Sequence, residues 1–326
     1  MTYPWHADNW KRFEDMLAGR RLGHGLLLTG AAGLGKREFA GTIAQRMLCA
    51  ERTGCGNCKG CQLFAAGNHP DFAVIEPADD SRQIKVEQVR DLIARLGLAS
   101  QQRGYKVVIV DPAEAMNANA QNSLLKTLEE PADNTLLLLV CNRPAELAAT
   151  ILSRCQQLRF AAPAANTARD WLSGQAEADW DSLLVLAAGA PLAALELEQA
   201  GVATLVDELA NDLAALMDGQ SDPVAVAESW AGDDLALRLR WLQRQIYAIA
   251  RWQAGQSPEL VHRIILKSLQ KQGQDTSVKS IFRYLDVLER NIRLTDRTVN
   301  QALAILPLLS VWADGPRFSQ VKNEML

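Results

Sequence analysis

The stretch GLLLTGAAGLGKREF, residues 25–39, decides the fold. It opens on an apolar run, GLLLT, that reads as a short buried strand. Gly30, Gly33, Gly35 and Lys36 follow, and a helical face begins behind them. The phosphate-loop pattern G-x-x-x-x-G-K-[ST] fits through Gly30, Gly35 and Lys36. Such a loop aims backbone N–H groups and a helix N-terminus at an anion, and its glycines let the backbone come close. A plain glycine turn between strand and helix is the bland alternative. The strand before and helix after favour a phosphate loop. Arg37 breaks the pattern where a Ser or Thr holds magnesium. One metal ligand is lost, and a guanidinium there repels the metal. Weak nucleotide binding with help from Lys36 stays open.

Outward from the loop, strand and helix alternate. Phe39, Ile43 and Met47, with Ala40, Ala44 and Leu48, line one helical face. FAVIE at 72–76 reads as a strand, and Val86, Val89, Ile93 and Leu96 mark a helix. KVVIVD at 106–111 is a strand ending in an acid, NANAQNSLLKTLEEP at 117–131 a helix stopped by Pro131, and TLLLLVC at 135–141 a strand. Continuous apolar runs predict a parallel sheet covered on both faces. After residue 166 strand signals nearly vanish. Stripes at Leu205, Leu209, Leu213 and Leu216, at Leu239, Leu242, Ile246 and Ile249, and at Ile281, Leu285, Leu288 and Ile292 predict helices. The expected architecture is a P-loop α/β domain over 1–163 with a parallel sheet. A small helical lid over 164–203 and an all-α domain over 204–326 follow.

The chain's 326 residues suit two or three domains at roughly 150 residues each. A net charge of −4 gives no global basic field to pull it onto nucleic acid. The N-terminus lacks an apolar signal region, and no apolar run nears the ~20 residues of a membrane span. A cytoplasmic chain is expected.

Cys49, Cys55, Cys58 and Cys61 give the spacing C-x5-C-x2-C-x2-C. In a cytosolic chain this reads as metal before disulfide, and four thiolates suit tetrahedral zinc. Gly54, Gly56 and Gly60 ease the tight turns. Four protein ligands leave no open position, so the expected zinc is structural, in a knuckle inserted into the α/β domain. Cysteines without metal are the alternative. His69 lies nearby and is read as structural; Cys141 is read as packing.

Hydrolysis needs a second acid pair, one for magnesium and one to activate water. VVIVDPAE supplies Asp111, but Pro112 stands where the catalytic Glu is wanted, and Glu114 is two residues further on. Two independent defects, at residues 37 and 112, argue against hydrolysis by this chain alone. Arg154, in TILSRCQQL at 150–158, is by spacing alone no more than a charged surface residue.

NSLLKTLEEP at 122–131 and ILSRC at 151–155 resemble signature stretches of AAA+ clamp-loader proteins. With YPW at 3–5, the four-cysteine insertion and the damaged loop, the resemblance is to the delta-prime branch of the bacterial DNA polymerase III clamp loader. It is carried by the first 200 residues and beyond them by helical pattern only. It implies a non-hydrolysing subunit of a hetero-oligomer. Arg154 would be a finger supplied in trans to a neighbour's ATP, and Lys36 and Asp111 match the phosphate-loop lysine and metal acid by position. The implied partners are gamma/tau ATPase subunits and the delta subunit, with the sliding clamp and primer–template DNA reached through the assembly. Leu192, in GAPLAAL, stands where active relatives carry a nucleotide-sensing arginine.

Two competing readings are an active gamma-type ATPase and a stand-alone zinc-dependent DNA-binding module. Trp230, Trp241 and Trp252 read more cheaply as packing than as base stacking. The basic stretch 238–251 is a helix with a solvated basic face or an interface. The C-terminal stripes fit either a collar or a self-contained bundle. Arg82, Lys85 and Arg90 read as surface charge rather than DNA contacts.

Overall fold

A computed structural model describes residues 3–78, 81, 83–96, 104–232, 234–255, 261–272, 278–294, 300–313 and 318. Arg82 lies outside them. The chain forms two compact units, one of Met1–Trp171 with Ala190–Ala193, the other of Leu172–Gly189 with Ala194–Leu326.

The first unit is built on a five-stranded sheet of β1 (Gly25–Thr29), β2 (Phe72–Ile75), β3 (Lys106–Val110), β4 (Thr135–Cys141) and β5 (Gln156–Arg159). Its order is β2-β3-β4-β1-β5, and every pairing is parallel. Alternate residues point to opposite faces of a strand, and both faces here are buried. Leu27, Val108, Val110, Leu137 and Leu139 join one core cluster; Leu26, Leu28, Val107, Ile109, Leu136 and Leu138 join the other. That is why these strands read as unbroken apolar runs.

Helices α1 (Ala7–Ala18), α2 (Lys36–Leu48), α3 (Lys59–Ala65), α4 (Val86–Leu96), α5 (Ala118–Glu129), α6 (Ala149–Leu152) and α7 (Ala165–Ser173) fill this part of the chain. The loop helix α2 buries Phe39, Ala40, Ile43, Ala44, Met47 and Leu48, the face read from periodicity. Asn117 caps α5, its side chain accepting from the N–H of Ala120 at 2.9 Å. The fifth strand, QQLR, gave no apolar signal. It is an edge strand in which only Leu158 is buried.

Downstream come α8 (Trp180–Leu186), α9 (Pro191–Gln199), α10 (Val202–Met217), α11 (Pro223–Trp230), α12 (Leu235–Gln253), α13 (Arg263–Gln272), α14 (Val278–Leu294) and α15 (Gln301–Ser310). Leu239, Leu242, Ile246 and Ile249 of α12 are buried, as are Ile281, Leu285 and Leu288 of α14. Trp230 and Trp241 are core residues, and the indole N–H of Trp230 donates to Asp212 at 2.9 Å. Among the described residues no single helix is long and apolar enough to cross a membrane.

Candidate functional site

The phosphate loop follows the carboxyl end of β1, where ligands of parallel sheets bind. Gly33 and Gly35 take positive φ of 75° and 78°, and Gly35 directly precedes α2. A side chain at Gly35 would start 2.5 Å from the ring of Tyr3. The loop is closed on itself. Lys36 is buried, and its ammonium donates to the carbonyls of Gly30 at 2.8 Å and Ala31 at 2.6 Å, and to Asn142 Oδ1 at 2.7 Å. An ammonium has three protons, so all of them are engaged within the chain. Burial lowers the Lys36 pKa, against the pull of Asp111 and Glu114.

Arg37 bridges two carboxylates beside the loop. Its guanidinium donates to Asp111 Oδ2 at 2.9 Å and pairs with Glu76. Burial works against the Arg37 charge, but the hydrogen bonds it donates to its two carboxylate partners outweigh it and raise its pKa. Burial raises that of Asp111. The acid named from sequence is therefore committed to an internal cation. Glu114 is buried too, and both its oxygens accept the backbone N–H of Asn142, at 3.1 and 3.2 Å. It stabilises the turn after β4.

The back of the loop is held by the N-terminal turn Pro4–His6. The Leu34 carbonyl accepts from the Trp5 indole at 3.0 Å and bonds the His6 ring at 2.7 Å. Tyr3 and Trp5 stack with centroids 4.9 Å apart, and Trp171 meets both edge-on. The N–H of Leu192 donates to the Gly33 carbonyl at 3.0 Å, so the first turn of α9 also caps the loop. Sequence reasoning missed Asn142, Glu76 and this aromatic clamp. Only YPW hinted at the last.

Cys49, Cys55, Cys58 and Cys61 bring their four sulfurs within 4.8 Å of one another, a group able to hold a metal ion. Cys49 follows the last residue of α2, and Cys58 caps the start of α3. Sulfur separations of 3.6 Å (Cys49–Cys55) and 3.8 Å (Cys49–Cys58) match the about 3.8 Å of a tetrahedral thiolate site with ~2.3 Å zinc–sulfur bonds. The N–H groups of Cys58 and Cys61 donate to the sulfurs of Cys55 and Cys58, each at 3.4 Å, as thiolates require. For Cys49, such hydrogen bonds outweigh burial and hold the pKa at about 5; burial and its sulfur neighbours push Cys61 to about 12. Gly60 is not a turn residue but sits in α3, where a side chain would start 2.4 Å from the Leu48 carbonyl oxygen. His69 is buried, its Nδ1 accepting from the N–H of Asp71 at 3.1 Å. Cys141 and Cys155 are buried, and burial lifts their thiols to about 12 and about 11.

Arg154 lies at the other end of the sheet. It precedes β5, whose Gln156 pairs with Leu26 near the start of β1. A side chain on Gly25 would start 3.7 Å from the Arg154 carbonyl oxygen. From Gly25 to Gly30 is five strand residues, roughly 16 Å. Arg154 and the chain's own phosphate loop are thus brought to opposite ends of the strands. The Arg154 guanidinium pairs with Glu129 at 2.5 Å and donates to the Thr150 carbonyl at 3.1 Å. With side chains 35% and 49% exposed, the ion pair contributes about 0–1 kcal/mol.

Comparison with known proteins adds the family-level finding. The family described as "DNA polymerase III, delta subunit" matches residues 5–164, and its C-terminal counterpart matches residues 206–314. A DNA polymerase III subunit delta′ of Pseudomonas aeruginosa is 37% identical, over 96% of this chain and 98% of its own. One from Yersinia pestis is 32% identical over 95% of each. A DNA polymerase III subunit tau/gamma of Haemophilus influenzae is 32% identical over 50% of this chain and 26% of its own length.

Proposed function

Because this chain belongs to the DNA polymerase III delta′ family, a clamp-loader subunit of DNA replication, we propose that it works there without hydrolysing ATP and presents Arg154 to the ATP of a neighbouring subunit. The observation that carries this is the separation of Arg154 from its own phosphate loop by the length of a strand. A guanidinium at the amino end serves a phosphate only if another chain brings one. A fixed cation there stabilises charge developing on the transferred phosphoryl group. Exchange of the half-exposed Glu129 for a phosphate costs little.

The closed loop supports the negative half of the reading. A nucleotide must displace three lysine hydrogen bonds, and magnesium must displace Arg37 from Asp111. We read ATP binding at this loop as absent or weak. The four cysteines hold a structural zinc, which orders the knuckle but takes no part in the chemistry. The α/β domain of 1–163 carries the finger, the segment 164–203 is a lid, and 204–326 is a collar that assembles the hetero-oligomer. Its neighbours are gamma/tau ATPase subunits and the delta subunit. The assembly acts on a sliding clamp and primer–template DNA.

The test is Arg154→Ala in a complex reconstituted with the ATPase subunits. Assembly is expected to stay intact while DNA-stimulated ATP hydrolysis falls. Unchanged hydrolysis in an assembled variant refutes the trans role. Magnesium-dependent turnover by the isolated parent chain refutes the non-hydrolysing role and favours a gamma-type ATPase.

A further inference from the structure

Helices α12 and α14 of the helical unit enclose a cleft of about 340 Å³ lined by Arg240, Gln243, Arg244, Glu289 and Ile292. Arg240, Gln243 and Arg244 are spaced i, i+3, i+4, which puts them on one face of α12. Glu289 and Ile292 form the wall from α14. The amide of Gln243 donates across the cleft to Glu289 Oε1 at 3.4 Å.

Arg244 is the anomaly. Among the described residues its buried Nη1 has no hydrogen-bond partner and no ion pair reaches its guanidinium. Burial, and then the like charge of Arg240, bring its pKa down to about 10. Arg244 is half-buried and Arg240, one turn away, is exposed, so the cleft holds two like charges, one with an enclosed unpartnered donor, against the single carboxylate of Glu289. A folded chain keeps such a group at a net gain when an anion is supplied to it.

We infer that this cleft binds the terminal phosphate group of a small molecule, with Arg244 and Arg240 as its donors. Two guanidinium forks offer more N–H groups than one carboxylate can accept, whereas a tetrahedral phosphate has an oxygen for each. Glu289 on the facing wall repels a bare polyanion but accepts a hydrogen bond from a P–O–H group. That selects a protonated, terminal phosphate over the phosphodiesters of a DNA backbone. The cleft's volume falls within the range of small-molecule sites. Inorganic phosphate, pyrophosphate and a nucleoside monophosphate share this chemistry.

The experiment is calorimetric titration of the full chain with each of the three in phosphate-free buffer, ionic strength being held constant with NaCl. A 5′-hydroxyl single-stranded oligonucleotide forms a fourth arm. Saturable binding of at least one phosphate compound is expected, weakened about tenfold or more by Arg244→Gln and by Arg240→Gln. Binding of inorganic phosphate itself assigns the site to the free ion; binding of the nucleotide alone assigns it to a phosphate ester. Without phosphate, Arg244→Gln is expected to melt no lower than the parent, since it removes an uncompensated charge. Added phosphate should then stabilise the parent and not the variant. If Arg244→Gln does not fold, Arg240→Gln carries the same comparison. The inference is overturned if no phosphate compound binds, or if binding survives both substitutions and so belongs to the phosphate loop. It is equally overturned if the oligonucleotide alone binds.

Discussion

Arg37 and Arg154 are the same side chain put to opposite uses at the two ends of one sheet. At the carboxyl end, Arg37 is locked between Glu76 and a largely buried Asp111, beside a lysine with no proton to spare. At the amino end, Arg154 leans on a single exposed glutamate. The lesson concerns commitment. A guanidinium shared by two carboxylates, one of them largely buried, is held more firmly even though the arginine itself is half-exposed. A guanidinium in one solvent-screened pair is held in place yet remains available to a better anion.

The largest expected effect asks whether the knuckle belongs to this division at all. Stripping metal from a four-cysteine module removes roughly 10 kcal/mol or more of ordering free energy. Chelation, or Cys58→Ser, is expected to abolish hydrogen-exchange protection in residues 49–65 while β1 and β4 keep theirs. Protection that persists through chelation means the sulfurs need no metal. Loss that spreads into the phosphate loop means the closed end depends on the knuckle.

Next comes the contrast between the arginines themselves. In the reconstituted complex, Arg154→Ala is expected to slow hydrolysis at the site it serves by about 10³-fold or more, the scale of arginine fingers elsewhere. Arg37→Ala is expected to leave turnover of the complex unchanged and to lower only the chain's own melting temperature. Equal losses from the two variants would break the comparison. Single-turnover rates, with assembly verified by size exclusion, separate the cases.

How much of this was legible beforehand follows from which forces are local. The sheet's three central runs, β3, β4 and β1, were readable because burial on both faces leaves a continuous apolar signature in each, and the edge strand β2 was readable because its own FAVI run is apolar. β5 was not, because an edge strand such as Gln156–Arg159 is specified by pairing with β1 rather than by its own composition. The loop glycines, Lys36 and the cysteine spacing are short-range patterns and stood in the sequence. The partners of these residues did not. Asn142 lies 106 positions from Lys36, and Asp111 lies 74 from Arg37. The sequence predicted that Arg37 repels a metal; the fold adds that its guanidinium is bonded to Asp111. Arg154's distance from its own loop was likewise invisible until the register of β5 on β1 was known.

A smaller effect probes what seats Arg154. Gly25 begins β1, and a methyl group there would start 2.9 Å from Leu128 Cδ2 and 3.2 Å from Cys155 Sγ, both in the packed core. Gly25→Ala is expected to destabilise the chain by about 1–3 kcal/mol through overpacking. It should also reduce hydrolysis in the complex by displacing the neighbouring arginine. Cys155→Ser, which keeps the volume, tests packing apart from position. Lost stability with full turnover would show that Arg154 tolerates movement of its support.

The smallest effect lies at the closed end and is read by pH. His6 is fully buried against the loop, with its ring bonded to the Leu34 carbonyl and its Nδ1 without a partner among the described residues. Burial lowers its pKa below the usual 6.5, outweighing the help of that carbonyl and of Glu38. The unfolded chain therefore takes up this proton first as the pH falls. Stability from a neutral His6 is whole above about pH 6.5 and declines below it, by at most about 1.4 kcal/mol per pH unit, until the folded pKa is reached. His69 and His262 shift the same way, so the parent's slope is a sum. His6→Gln removes one member of that sum and retains an amide donor for Leu34. Urea titrations between pH 7 and pH 5 are expected to give a shallower fall in the variant. Parallel curves would mean that His6 already meets solvent in the folded chain, and that the aromatic clamp on the loop opens more readily than the bonds to Lys36 imply.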